Sequence, residues 1–516
     1  MNRVATKRIN QFYQWFSGRR VITTNSFASQ NHKQLEDIPG PRKLPLLGSL
    51  LDLLLYKGGL PKGRIYVPQN RVRVYGKIYK ESFGSQVPSV HIADPKDVEL
   101  VLRSESSYPK KVPSFPLFEY FWQKYNRPPG VFFLNDLEWY KHRSVLSKRM
   151  LVPRFLYHYT PDMNNIASEF VARLKTLRVA EGSERSHEVE SIDKELFKWS
   201  FESVSFAIFE KRFGAFEDAA DPKIKEFIKA TGTMLENVAS ASYMPPKLFD
   251  YYHPESYKKF SSSYERMYQT TLFFLNQEIE RIKEAEGHDS EIGLLKYLLL
   301  KDTFTPKDVL SSIIDLMFAG VDTTSNTMQW ILYELAKNPD KQAALFDEIK
   351  TVLPASSAAV SHQDLKNLPF LKAVVKETLR LHPVLNEIFR VLSKDLVLSG
   401  HKVPAGTQIM ISSYVMSHDP DLFDQPEQFL PERWLKSNES NDFHKFSSLP
   451  FGFGRRMCLG RRLAELELHV LLTHLVLNFH FKYPENETMQ TLARGTLIPE
   501  KAVRVKFIDR HSVRAN

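Results

Sequence analysis

A single cysteine, Cys458, stands in a chain of 516 residues. No intramolecular disulfide can form, and a metal site built from several thiolates is excluded. A secreted, disulfide-stapled scaffold goes with them, so the fold must be held by a buried core. The composition allows one: 42% of residues are hydrophobic and 25% charged, as in ordinary globular proteins. Length by itself would permit two or three domains.

The net charge of +10 points to a nucleic acid, an anionic membrane surface or an acidic protein partner. No long basic run and no nucleic-acid motif occurs, so the last two lead. The first 35 residues carry Arg3, Lys7, Arg8, Arg19, Arg20 and Lys33, with no Asp or Glu before Glu36. Phe12, Tyr13, Trp15 and Phe16 add an aromatic cluster. A basic, acid-free, hydroxylated leader predicts a mitochondrial transit peptide over 1–35; the other reading is a disordered basic tail. No run of about 18 apolar residues occurs, so no transmembrane helix is expected.

Asp37-Ile38-Pro39-Gly40-Pro41 is a stiff, non-helical hinge, and the folded domain is expected over 36–516. Short β-prone runs lie within 73–105. From about residue 137 the pattern is mostly helical. Apolar residues recur at three- and four-residue spacing through 160–178, 190–213, 256–285, 306–337 and 364–381. Thr305-Pro306 supplies a cap and a first-turn proline for the fourth of these. Further β-prone stretches run over 387–412 and 491–508. The irregular segment 415–457, rich in Pro, Asp, Ser and Phe, is of a kind that is often functional. One large, mainly helical domain with small sheets near both ends is predicted.

Phe451-Gly-Phe-Gly-Arg-Arg-Met-Cys-Leu-Gly460 surrounds the thiol. Gly452, Gly454 and Gly460 suit a backbone that bends sharply beside something flat. Arg455, Arg456, Arg461 and Arg462 favour a thiolate, as does a helix beginning just after Cys458. A thiolate so held is what a haem iron takes as an axial ligand. A buried structural cysteine and a cysteine hydrolase are the alternatives; the second would need a paired base, for which there is no local signature. The segment resembles the haem-binding loop of the cytochrome P450 family, Phe-x-x-Gly-x-Arg-x-Cys-x-Gly, matched by Phe451, Gly454, Arg456, Cys458 and Gly460. The resemblance implies a haem-thiolate monooxygenase in which haem b lies between a long central helix and the Cys458 loop.

Three more motifs follow in the family's order. Ala319-Gly320-Val321-Asp322-Thr323 lies within the 306–337 helix. A mid-helix glycine costs about 1 kcal/mol relative to alanine, which suits a turn that a ligand approaches. Asp322 and Thr323 would then relay protons. The bland alternative is Gly320 packed on a neighbouring helix, with Thr323 bonded back to a carbonyl. The segment resembles the family's oxygen-activating motif. Glu377 and Arg380, at i and i+3, resemble its Glu-x-x-Arg pair, and Arg433 the arginine that joins them. The implied role is a buried charge network that holds 415–457 beneath the haem. Trp139, Arg143, Arg390 and Arg456 match family positions that bind the haem propionates.

Electrons must come from a partner. Lys372, Lys376, Arg461 and Arg462 resemble the basic positions with which mitochondrial members dock an acidic 2Fe-2S ferredoxin. A ferredoxin and its NADPH-dependent reductase are therefore expected, with the enzyme peripheral on the matrix side of the inner mitochondrial membrane. By the same resemblance Phe118, Phe121, Phe318, Ala319 and Leu497 line the substrate pocket, which suits a rigid apolar ligand. Asp315 is either a polar handle in that pocket or the partner of a neighbouring segment. The chain beyond its leader is similar to mitochondrial steroid and sterol hydroxylases. Leu44-Pro-Leu-Leu-Gly48, Gly130-Val-Phe-Phe133, Met244-Pro-Pro246 and Ser448-Leu-Pro-Phe451 resemble arthropod ecdysteroid 2-hydroxylases, which hydroxylate C2 of a 2-deoxyecdysteroid in moulting-hormone synthesis. Another ecdysteroid position, a sterol, a secosteroid or a xenobiotic is the alternative within the class. A haem sensor or carrier without turnover is the alternative outside it.

Overall fold

The computed structural model describes residues 32–44, 48–49, 59–82, 88–112, 116–242, 246–284, 293–353, 359–435, 443–483 and 487–510. Of the expected leader only 32–35 fall among them, and residues 45–47 and 244–245 of the quoted segments lie outside.

The longer helices are α1 Gly59–Tyr75, α2 Pro95–Arg103, α3 Pro116–Tyr125, α4 Asp136–Met150, α5 Thr160–Leu177, α6 Ile192–Phe209, α7 Pro222–Ala241, α8 Glu255–Glu284, α9 Pro306–Lys337, α10 Pro339–Val352, α11 Pro369–Leu381 and α12 Arg461–Asn478. Helix α9 starts where its cap predicts. The Thr305 hydroxyl accepts from the Asp308 amide, and the Asp308 carboxylate accepts from the Thr305 amide at 2.9 Å. Reciprocal bonding of this kind satisfies two otherwise orphaned donors. Between Ser311 and Ala336 every residue of α9 is buried except Leu316, Phe318, Ala319, Gly320 and Thr323. The helix is thus enclosed along most of its length, with one half-buried stretch over residues 316–323.

Three helices, α1, α2 and α3, lie before residue 137, where the helical pattern is expected to begin. In α2, Val98, Val101 and Leu102 share one buried face, and the Asp94 carboxylate caps it by accepting from the Lys96 amide at 2.8 Å. In α3, Leu117, Phe118, Phe121 and Trp122 are buried at helical spacing. The expected 364–381 helix is divided into His362–Lys366 and α11, because Pro369 cannot continue the first piece.

The described strands are β1 Ile78–Glu81, β2 Ser89–Ile92, β3 Glu387–Val391, β4 Leu396–Leu398, β5 His401–Val403, β6 Gln408–Ser412, β7 Phe479–Lys482, β8 Thr491–Ala493, β9 Leu497–Pro499 and β10 Lys506–Asp509. The early and late β-prone regions turn out to form one sheet of order β1-β2-β6-β3. β2 runs parallel to β6, Ser89 opposite Gln408, and β3 pairs antiparallel with β6, Arg390 opposite Ile409. The Pro39–Pro41 hinge lies against this sheet. The Lys80 amide donates to Pro39 O at 2.8 Å, and a Cβ at Gly40 would run into Lys80 O.

Candidate active site

The cysteine loop enters α12 through Gly460, its N-cap. Gly452 and Gly454 take positive φ, 68° and 75°, a region that side chains with a Cβ disfavour. A Cβ on Gly454 would also approach a Glu105 oxygen at 2.9 Å. The Cys458 amide donates to Phe451 O at 2.8 Å, closing the loop. Protein surrounds Cys458, yet it remains reachable by a water-sized sphere. The thiol therefore opens on an enclosed hollow and not on bulk solvent.

The electrostatics at the sulfur differ from expectation. Burial pushes the Cys458 thiol up. The amides of Gly460 and Arg461 and the charges of Arg143 and Arg461 pull it down, but by less. Of the four loop arginines named for the thiolate, Arg461 alone is among these causes; Arg455 and Arg462 are exposed. A thiol that coordinates a metal is deprotonated outright, so burial does not bar ligation.

Cations gather around the hollow. Arg143 is desolvated, which lowers it, and Cys458 is the charged group acting on it. Among the described residues it has no carboxylate partner. Trp139, one turn earlier in α4, is buried beneath Arg456, whose guanidinium lies 4.3 Å from the indole ring. Arg456 donates to Pro109 O at 2.7 Å, Leu134 O at 2.8 Å and Asn135 Oδ1 at 3.0 Å. Burial, then Arg390, bring it down to about 9. Arg390 pairs with Glu105. Lys111, which the sequence did not single out, joins them. Burial lowers its ammonium, Arg456 and Arg390 lower it further, and Asp315 and Cys458 act the other way. Lys111 thus lies between the central helix and the cysteine loop. Cations gathered with Glu105 as the one acid in direct contact among the described residues are an expensive arrangement, and a ligand bearing two carboxylates suits it. Haem fits the donor set: a thiol on an enclosed hollow beside a cationic rim.

On α9, the Thr323 hydroxyl donates to Ala319 O at 2.7 Å. Asp322 points elsewhere. It accepts from Arg494 and from the Thr496 hydroxyl, each at 2.8 Å, in the turn between β8 and β9. Burial raises its carboxyl despite Arg494. Gly320 is not the approach point for a ligand: a Cβ there would meet the Val204 side chain of α6 at 2.8 Å, so Gly320 serves helix packing.

The expected pocket residues divide. Phe318 and Ala319 are half-buried on α9, with Phe318 packed against the core. Phe121 does not line a pocket: it is fully buried among Tyr125, Phe260 and Tyr264. Phe118 packs on Phe133 at 4.5 Å and edge-on to Phe260, in the same aromatic wall between α3 and α8. Leu497 is buried against Ala493 and Tyr414.

Glu377 and Arg380 are fully buried and meet at 2.7 Å, with Arg433 3.0 Å from Glu377. Glu377 also accepts from Trp434 Nε1 and the Leu430 amide. Arg380 donates to Ser417 O, Pro426 O and Gln428 O. The irregular segment is thus bonded to α11 at several points. Lys376 on the same helix is exposed, while Lys372 is half-buried, donating to Lys366 O at 3.0 Å. Glu465, missed in the sequence, draws the basic face together: it pairs with Arg461 at 2.9 Å and Arg462 at 3.9 Å, and also acts on Lys372.

The sequence profile described as Cytochrome P450 matches residues 38–507. The chain belongs to the cytochrome P450 family. Cytochrome P450 10 of Lymnaea stagnalis is 33% identical over 491 residues, 94% of this chain and 88% of its own length. The mitochondrial 1,25-dihydroxyvitamin D(3) 24-hydroxylase of Mus musculus is 30% identical over 482 residues, 93% of this chain and 90% of its own. The mitochondrial sterol 26-hydroxylase of Rattus norvegicus is 32% identical over 492 residues, 93% and 89%. As a cytochrome P450, the chain is a haem-dependent monooxygenase with the mainly helical fold of that family. Its named relatives include mitochondrial hydroxylases, and no helix among the described residues is long and apolar enough to cross a membrane.

Proposed function

We propose that this cytochrome P450 hydroxylates a steroid in the mitochondrion, at C2 of a 2-deoxyecdysteroid in moulting-hormone biosynthesis. Electrons come from a 2Fe-2S ferredoxin and its NADPH-dependent reductase. The observation that carries the reading is similarity along more than nine-tenths of the chain to a sterol 26-hydroxylase and a vitamin D 24-hydroxylase, both mitochondrial. The short segments that resemble ecdysteroid 2-hydroxylases narrow it.

In this reading Cys458 ligates the iron, and Arg143, Arg390 and Arg456 hold the haem carboxylates, with Trp139, Phe451 and Gly460 shaping the seat. The haem, when bound, supplies dioxygen activation, which a thiolate ligand favours by donating electron density. Thr323 holds a proton at Oγ1 and can turn it away from Ala319 O. Asp322 keeps an acidic group one residue away, fixed by Arg494 and Thr496. Phe318 and Ala319 present the apolar surface of α9 to the steroid. Lys376 and Arg462 are the exposed members of the ferredoxin face, with Lys372 and Arg461 behind them. Leu248, Tyr251 and Tyr252, exposed between α7 and α8, support a peripheral seat on the inner membrane, matrix side.

The test is incubation of the holoenzyme with ferredoxin, reductase and NADPH on 2-deoxyecdysone, a 2,22-dideoxyecdysteroid and cholesterol. A 2-hydroxylated ecdysteroid is expected. Turnover of cholesterol alone moves the assignment to sterols, which the names of the relatives favour as the second reading. Turnover of none ends the steroid reading.

A further inference from the structure

The segment 130–135 spans from the central helix to the cysteine loop. At its far end Leu134 O and Asn135 Oδ1 accept from Arg456, and Asn135 also bonds the main chain of Lys111 and Val112. At its near end the Phe132 amide donates to Asp315 Oδ2 at 2.8 Å. Asp315 lies on α9 two turns before Thr323, is 4% exposed, and has no ion pair among the described residues. The strap carries Phe133 into the aromatic wall with Phe118 and Trp122, and Phe132 beneath the Lys111 ammonium, 3.0 Å from the ring centre.

Gly130 makes the contact with α9 possible. A Cβ there would run into the Asp315 carboxylate and come within 2.6 Å of Ser311 O. The carboxylate can move a little; the helix main chain cannot. Close approach and the hydrogen bond therefore depend on each other. The charged or titratable groups that act on this point are Lys111 from the preceding loop and, from α8, Tyr264.

We infer that Asp315 is a positioning residue for the substrate: with Gly130 it latches the 130–135 strap to the central helix and so sets the wall over Phe318 and Ala319. This rests on the reading of that hollow as the steroid site. Losing one partner of a buried hydrogen bond shifts an equilibrium by about ten-fold, equivalent to about 1.4 kcal/mol.

The experiment uses the haem-loaded enzyme as wild type, Asp315→Ala, Asp315→Asn and Gly130→Ala. Two readouts are taken: amide hydrogen exchange over 130–135 without substrate, and the spectral dissociation constant with KM and kcat for 2-deoxyecdysone. Asp315→Ala should exchange about ten-fold faster and bind about ten-fold more weakly, with kcat held within about two-fold. Gly130→Ala should behave alike, and Asp315→Asn, whose amide oxygen still accepts, should lie near wild type. Unchanged exchange in both Asp315→Ala and Gly130→Ala overturns the latch. Faster exchange with unchanged binding overturns its role in positioning substrate. Should Asp315→Ala not fold, Gly130→Ala decides both points. Failure of wild type to bind 2-deoxyecdysone removes the substrate assignment and leaves the exchange result to judge the latch itself.

Discussion

Arg494 holds the buried carboxylate of Asp322 at 2.8 Å and reaches Glu236 on α7 at 3.3 Å with its other nitrogen. One guanidinium so ties the central helix, the β8–β9 turn and α7 together. Removing it leaves a carboxyl group buried without a cation, which costs about 3–5 kcal/mol. Arg494→Ala should lower the melting temperature of the holoenzyme and the product formed per NADPH. Asp322→Asn in the same chain should restore most of the stability but not the coupling. A double-mutant cycle checks this; no interaction energy between the two sites would refute the pairing.

Glu377→Gln leaves Arg380 and Arg433 buried beside a neutral amide. The Ser417, Pro426 and Gln428 carbonyls that Arg380 binds remain, so the irregular segment should loosen and not detach. A loss of about 3 kcal/mol is expected, with a reduced fraction of haem per protein on purification. Arg380→Ala should be worse, because three carbonyls lose their donor at once. Pyridine haemochrome content set against protein concentration measures it.

The two lysines proposed for the ferredoxin face are unequal. Lys376 is exposed, whereas the Lys372 ammonium is half-buried, depressed by burial, and donates to Lys366 O. Lys376→Ala should raise the apparent KM for ferredoxin several-fold at low salt, an effect that fades as ionic strength rises. Lys372→Ala should act less on docking and more on the packing of α11. Equal and equally salt-sensitive effects would contradict the difference in burial.

Much of this was legible because helical periodicity is local. The start of α9 follows from Thr305-Pro306, while α12 begins at Arg461, two residues beyond the helical onset that the pattern after Cys458 suggests. Glu377 and Arg380 pair by their i, i+3 spacing, whereas Arg433 as their partner and Cys458 as an iron ligand are read from the resemblance of their motifs to the family's. Lys111 and Arg494 were not legible, since each owes its place to contacts from elsewhere in the chain and belongs to no pattern. The resemblance assigns Phe118 and Phe121 to the pocket lining; α8 covers them through Phe260 and Tyr264, and nothing near them in sequence announces α8. The pairing of β2 with β6 was hidden for the same reason.

Burial raises the Asp315 carboxyl to about 7 from an ordinary 3.8. The folded chain keeps a proton that the unfolded chain releases, so this contribution to stability is full below about pH 4 and is lost as pH rises towards 7. His91 and His469, pushed down to about 3 by burial, and His418, to about 4, act in the other direction as pH falls below about 6.5. Asp315→Asn retains those histidines and removes one titration. The stability of wild type minus that of the variant should therefore fall between about pH 5 and 7, by at most about 1.4 kcal/mol per unit. A flat difference would mean that the carboxyl is hydrated in solution.

Strand β2 ends at Ile92, and its parallel neighbour ends at Ile411. More than three hundred residues separate the two strands, so in a chain that arrives from its N-terminus β2 waits for most of the polypeptide before that pairing can form. Arg390 reaches Glu105 shortly before that neighbour is complete, and Arg456 reaches Trp139 later still. The basic rim of the hollow is thus among the last parts of the protein to assemble, and pigment can be captured only by a nearly finished polypeptide. Until then the β2 edge is an open invitation to the wrong strand, and a chaperone would have its greatest effect there.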